Sequence, residues 1–299
     1  MSEVRIDRRS VFLPKSEKAW ASKKKALEFF ECDPHPEKDL GRGPCVLADL
    51  TSCSAKQAAT LGKRLQSAET ILVQPGQAAA GIPGIPSEKL VEFRPLRGWA
   101  MASKMREFRL ASSAGDLCSL RLFWEWPRKM AGSPKAFRET LLPDLLDLAE
   151  HMAGAQLRAL KIEPIGGGNA AFVAALLEGN IVVEMNVNET LPDSLAPVRL
   201  VHAYFTKGAL GNMPLYGYEN DEGMLVADDR GSRREICEHV SWDGKNEWED
   251  FYLRMVGSIL DGTFGEARAG RQALYLDAIE RAWKAPGQVA VGQNVGGRP

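Results

Sequence analysis

Nothing in this sequence is long and apolar enough to cross a membrane, and its opening residues, MSEVRIDRRS, lack the apolar stretch of a secretory signal. A cytoplasmic location is therefore expected. Cysteine is sparse and irregularly spaced. Cys32, Cys45, Cys53, Cys118 and Cys237 are odd in number and form no CxxC pair, which argues against a disulfide framework and against a zinc site. No metal motif and no GxSxG occurs, and no cysteine signature supports nucleophilic catalysis. A net charge of -1 removes the electrostatic footprint that nucleic acid or an acidic membrane would require. No GxGxxG loop follows an N-terminal strand, so the usual backbone cradle for a dinucleotide pyrophosphate is missing. Gly166-Gly167-Gly168 does not replace it, because it lies between two strands rather than between a strand and a helix.

What is present is an ordinary globular composition, 44% apolar and 26% charged over 299 residues, enough chain for two domains. The sharpest basic cluster, Lys15, Lys18, Lys23, Lys24 and Lys25, alternates with Trp20, Ala21, Leu27 and Phe29 and reads as a solvated helix face. Apolar runs at 45–50 and 70–73, with a helical stretch at 55–67 between them, predict a βαβ unit and a parallel sheet. A Gly/Pro-rich loop spans 74–90, followed by a short strand at 91–93, a helix over 98–112 and a strand over 117–126. A Leu-rich helix is expected over 138–153. Beyond 155, strands at 156–163, 170–177, 181–188 and 198–205 alternate in the antiparallel manner, with a tight hairpin at Glu178-Gly179-Asn180. Helices at 246–260 and 268–283 and a short strand at 289–291 close the chain. The expected class is α/β plus α+β: a truncated Rossmann-like parallel domain over 1–115, a domain with a large open, mainly antiparallel sheet and flanking helices over 116–292, and a disordered tail over 293–299. The closing helix 268–283 is available to pack back on the first domain.

Several ionisable residues stand out. Asp144, Asp147 and His151 recur at three- and four-residue spacing along one helical face, with Arg138 and Glu139 just upstream. They read either as an acid/base pair with Arg138 clamping a carboxylate or phosphate, or as a carboxylate favoured by a helix N-terminus plus surface residues. Arg94 and Arg97 flank Pro95 after a strand and suit either an anionic ligand or a structural ion pair. Trp124 and Trp126 share one strand face and read as core or interface. Arg199, His202, Tyr204 and Lys207 lie on or just past the last long strand, with His202 and Tyr204 on one face.

The order of several motifs resembles the Gfo/Idh/MocA oxidoreductase family. Ile71-Leu72-Val73-Gln74-Pro75 stands where that family has a strand running into Glu-Lys-Pro. Arg97 with the helix ending at Ser112-Ser113-Ala114-Gly115-Asp116, Leu145-Leu146-Asp147-Leu148 with Gly154, Leu177-Glu178-Gly179-Asn180, and the closing Ala269-Gly270, Leu274, Ala278-Ile279 and Gly287-Gln288-Val289 resemble its later landmarks. The resemblance implies hydride transfer between a substrate and NAD or NADP, a substrate cleft floored by the inner face of the sheet, and oligomerisation through the outer face. It also shows departures. Gln74 replaces the lysine and cannot supply a proton. The family's Asp and His fall at Thr140 and Asp144. The expectation is therefore a redox-inactive or non-canonical member with no cofactor, binding a sugar-, polyol- or carboxylate-type molecule through Arg97, Arg94, Arg138, Thr140, Gln74 and Tyr204, within a homo- or hetero-oligomer. Two alternatives stand beside it. One is an active NAD(P)-dependent enzyme with an atypical cofactor site, in which Asp144 or His202 moves the proton. The other is an interaction subunit with a vestigial cleft.

Overall fold

In the long strands whose burial is described, every second side chain is buried, and that period decides the architecture. The computed structural model describes residues 45–48, 59–60, 62–63, 65–66, 70–73, 82–92, 94–111, 114–195, 197–212, 221–228, 231–239, 271–285 and 287–291. The expected helix at 246–260, the tail at 293–299 and the candidate Gln74 lie outside them. The chain divides into two units, Met1–Gly98 with Lys245–Ala273, and Trp99–Gly244 with Leu274–Pro299.

The first unit contains three short parallel strands in the order β1 (Cys45–Ala48), β2 (Thr70–Val73), β3 (Leu90–Glu92). Ile71, Val73 and Leu90 are buried, all on one face of this sheet, since Ile71 pairs with Leu90. Gly62 makes a close approach possible, because a Cβ there would meet the Pro83 carbonyl oxygen at 2.1 Å.

The second unit is built on a nine-stranded sheet. Its strands are β4 (Leu117–Pro127), β5 (Leu157–Pro164), β6 (Ala170–Leu177), β7 (Val182–Leu191), β8 (Val198–Phe205), β9 (Gly208–Asn212), β10 (Asp221–Asp228), β11 (Gly231–His239) and β12 (Val289–Ala290). They lie in the order β11-β10-β9-β8-β4-β7-β6-β5-β12. All pairings are antiparallel except β4 with β7, which run parallel because the chain leaves β4 through helices before returning. The Gly166–Gly168 stretch forms the β5–β6 hairpin turn, and the β6–β7 hairpin places Gly179 and Asn180 at φ 73° and 61°, the left-handed pair that matches strand twist.

One face of this sheet is sealed. Ile162, Val173, Met185, Leu122 and Val201 form one cross-strand row, and Leu160, Ala175, Val183, Leu120, Ala203 and Leu210 the next, all buried. Helices α1 (Ala100–Leu110) and α2 (Leu142–Ala153) pack against each other, and α2 packs against β4. Phe108 of α1 meets Phe205 of β8 edge-on at 5.4 Å. Trp99, Trp124 and Trp126 are buried here too. Trp99 meets Trp124 edge-on at 5.9 Å, and Trp124 stacks on Trp126 at the same separation. The two strand tryptophans are thus core residues. Every residue from Leu142 to Ala149 is buried, so α2 is an interior helix rather than an amphipathic surface one. It ends at Gly154 with φ 65°, and a Cβ there would meet the Arg109 guanidinium carbon at 2.5 Å. The third helix, α3 (Arg271–Lys284), is tied to α2 by Tyr275, whose hydroxyl donates to Glu150 at 2.7 Å.

Candidate functional site

The approach to α2 carries the densest cluster of candidate side chains, and its shape follows from two residues. Ser133 caps the start, its hydroxyl accepting from the Ala136 N–H at 3.1 Å, and Pro134 follows in the first turn. Pro143 then lacks an N–H, and its ring would press on the carbonyl of residue 139 in a regular helix. The backbone responds with a π-turn over Phe137–Leu141, in which the Leu142 N–H donates to Phe137 O, five residues back. The turn buries Phe137 and leaves Arg138, Glu139 and Thr140 exposed. One turn further on, Asp144 and Asp147 are buried at 9% and 3% exposure, while His151 is half-buried near the helix end.

Arg138 and Glu139 open onto a cavity of about 510 Å³ whose other walls are Leu276, Ile279, Glu280, Trp283 and Lys284 of α3. The Arg138 guanidinium lies 5.5 Å above the Trp283 ring, and Phe137 meets the same ring edge-on at 6.2 Å. Neither Thr140 nor Asp144 lines this cavity. The sequence groups Arg138 with Asp144, but the fold directs Arg138 toward α3 and Asp144 into the buried side of its helix.

Beside the start of this segment, Glu189 at the end of β7 is buried. The Asn169 side-chain amide donates to it at 3.2 Å and also reaches Gly132 O at 2.9 Å, joining the Gly-rich hairpin to the loop before the π-turn. Burial raises the Glu189 pKa above its ordinary value, opposed by the hydrogen bonds from Asn169 and the Gly132 backbone.

His202 and Tyr204 do share a face, but it is the opposite one from the face that α2 covers. Their row-mates are open-face residues: His202 pairs with Arg121 on one side and Gly211 on the other, and Arg121 continues to Glu184, Ala174 and Lys161. Arg121 Nε contacts Glu184 at 2.6 Å, and the His202 ring lies 6.3 Å from Phe123. The missing side chain at Gly211 leaves room for the imidazole, whose Cδ2 would stand 2.7 Å from a Cβ there. Asp144 and His202 are therefore on opposite sides of the sheet, and one small ligand does not touch both. Arg94 and Arg97 belong to the first unit. Arg94 is buried in an ion pair with Glu92 at 2.5 Å, both side chains 1% exposed, and Arg97 is buried in the short helical turn Pro95–Gly98. Among the described residues no group of three His, Cys, Asp or Glu side chains could hold a metal ion.

Sequence comparison is silent: no protein-family model matches the chain, and no curated protein matches it. Solved structures do. An oxidoreductase from Agrobacterium radiobacter, in complex with NAD+, L-tartaric acid and magnesium, superposes with a TM-score of 0.62 at 13% identity, over 89% of this chain and 87% of that one. The transcriptional regulator Gal80p from Kluyveromyces lactis gives 0.63 at 13% identity, over 94% and 93%. A levoglucosan dehydrogenase in complex with NADH and levoglucosan gives 0.61 at 13%, over 96% and 90%. The fold is that of the Gfo/Idh/MocA-type oxidoreductases. The nine-stranded sheet corresponds to the C-terminal domain of Gfo/Idh/MocA proteins. That fold is shared by dehydrogenases and by Gal80p, so the activity has to be argued from the residues. No helix among the described residues is long and apolar enough to cross a membrane.

Proposed function

We propose that this chain is a redox-inactive protein of Gfo/Idh/MocA fold that binds a sugar-, polyol- or carboxylate-type small molecule and works within an oligomer. One observation carries the reading: where the resemblance puts the family's aspartate and histidine, α2 and its π-turn present an exposed threonine, Thr140, and a buried aspartate, Asp144. A hydroxyl is no base at neutral pH, and a carboxylate replaces an imidazole only with a strongly raised pKa. Gln74, in the place of the lysine, donates a hydrogen bond without supplying a proton. The structural neighbours are matched over 87 to 93% of their own length, so the proposal rests on the residues at the site and not on missing chain. Nicotinamide nucleotide would be held in this fold by a Gly-rich loop, and the sequence offers none after an N-terminal strand.

Calorimetry with NADH, NADPH and a panel of sugar acids and polyols tests this directly. The expected outcome is binding of an acid or polyol with no nucleotide binding. Micromolar affinity for either nucleotide, together with turnover of a polyol, would overturn the proposal in favour of an active dehydrogenase. The likeness to Gal80p, a transcriptional regulator, favours a second reading as an interaction subunit. On that reading the chain binds no small molecule and co-purifies stoichiometrically with another protein.

A further inference from the structure

We propose that the cavity beside Trp283 is a separate binding site, for a small carboxylate that also carries a hydrogen-bond donor, as hydroxy acids and amino acids do. Three features of the cavity select that chemistry. The first is a pre-set guanidinium. Arg138 donates from Nε to Pro134 O at 3.3 Å and lies over the Trp283 ring, which together hold its plane. Among the described residues its terminal nitrogens make no hydrogen bond, and its charge acts on Glu280 across the cavity. A fixed guanidinium with its paired donors open matches the two oxygens of a carboxylate.

The second feature is an apolar wall. Ile279 is 2% exposed, and Leu276 and the Trp283 ring continue the surface, so the body of the ligand has an apolar face to lie against. The third is an acceptor opposite the guanidinium. Glu280 is gripped by Lys284 at 2.5 Å, and that hydrogen bond and charge hold its carboxyl below the ordinary value, keeping it ionised. Glu139 stands beside Arg138 and contacts Lys135 at 3.7 Å. Two carboxylates on the rim repel a dianion such as phosphate, yet accept from the hydroxyl or ammonium of a monocarboxylate. At about 510 Å³ the cavity falls in the range that encloses small organic ligands.

Neither Thr140 nor Asp144 lines the cavity, but Arg138 also belongs to the residues from which the proposed small-molecule reading draws, so this inference rests on that reading at Arg138; failure here leaves the nucleotide-binding test of the proposed function standing. The test follows the Trp283 indole N–H resonance of the full chain, assigned by Trp283→Phe, while phenyllactate, phenylalanine or inorganic phosphate is titrated in. We expect a saturable shift with a hydroxy acid or an amino acid at millimolar or tighter affinity. The two arms show which donor Glu280 prefers. Arg138→Gln should weaken binding about tenfold or more, and Arg138→Lys should recover only part of it, since an ammonium cannot fork. Arg138 is exposed, so neither variant should disturb the fold. The proposal is overturned by the absence of a saturable shift with every acid, by undiminished binding to Arg138→Gln, or by phosphate binding as tightly as the carboxylates.

Discussion

The two faces of the large sheet come from the same strands and have opposite characters. On the covered face, Leu120, Leu122, Trp124, Met185, Val187, Val201 and Ala203 lie beneath the helices with 1% exposure or less. On the open face, one residue along each strand, stand Arg121, Glu184, Asn186 and His202, joined by contacts such as Asn186 Nδ2 to Glu125 Oε1 at 3.3 Å. A sheet whose two faces differ this clearly has its register fixed, because a one-residue slip would exchange the arginine row for the leucine row. Each face also carries an exception. The covered face ends in a buried charge, Glu189. The open face exposes Phe172, Val182 and Tyr204 at 40%, 44% and 43%.

The largest effect should come from breaking the covered face where its rings interlock. Trp124→Ala removes the ring that touches Trp99, Trp126 and the Arg199 guanidinium, the last at 5.8 Å, and leaves a cavity that the sheet backbone cannot collapse to fill. Destabilisation of about 3–5 kcal/mol is expected, read from the urea midpoint at unchanged slope. A loss near the level of an exposed substitution would mean that this face is not the sealed one.

How much of this was legible in the sequence follows from what each feature depends on. The β5, β6 and β7 strands and the Gly179-Asn180 turn were readable because period-two alternation and left-handed turn residues are local signals. Which face of β8 meets the helices was not. Leu200 and Tyr204 on one side balance Val201, Ala203 and Phe205 on the other, so the pattern fixes the period and leaves the side undecided. His202 therefore stands in the sequence as an alternative to Asp144 for moving the proton, although the sheet separates the two. The π-turn was missed because Pro143 suits the first turn of a helix as well as it does the interior of a distorted one; the capped Ser133-Pro134 start, about two and a half turns earlier, was the available clue. Trp283 against Arg138 is a contact between residues far apart in sequence, which no local rule supplies.

A smaller effect is expected at the covered face's exception. The folded pKa of Glu189 is raised, so the folded state holds its proton more tightly than the unfolded chain does. The stability this provides is fully present below the unfolded carboxylate value and is lost as pH rises through the folded one. Glu189→Gln keeps a partner for Asn169 and removes the buried charge. The variant should melt above the wild type at neutral pH, with the gap closing as pH falls through the carboxylate range. A gap that stays constant with pH would show that the charge is not the cause.

The smallest change in stability, and the most informative one for the open face, should come from Phe172→Lys. Phe172 lies in a row with Glu163, Asn186 and Phe123, so the new ammonium faces Glu163 across the β5–β6 pair. Monomer stability should move by less than about 1 kcal/mol, the range of β-propensity on a half-exposed strand. If this is the outer face through which the resemblance implies oligomerisation, the substitution puts a charge into the buried patch and should lower the sedimenting mass. Because the same lysine leaves the fold intact, a loss of assembly cannot be ascribed to unfolding. An unchanged mass alongside an unchanged melting temperature would show that the open face is simply wet, and that its three exposed apolar side chains are the ordinary scatter of a protein surface.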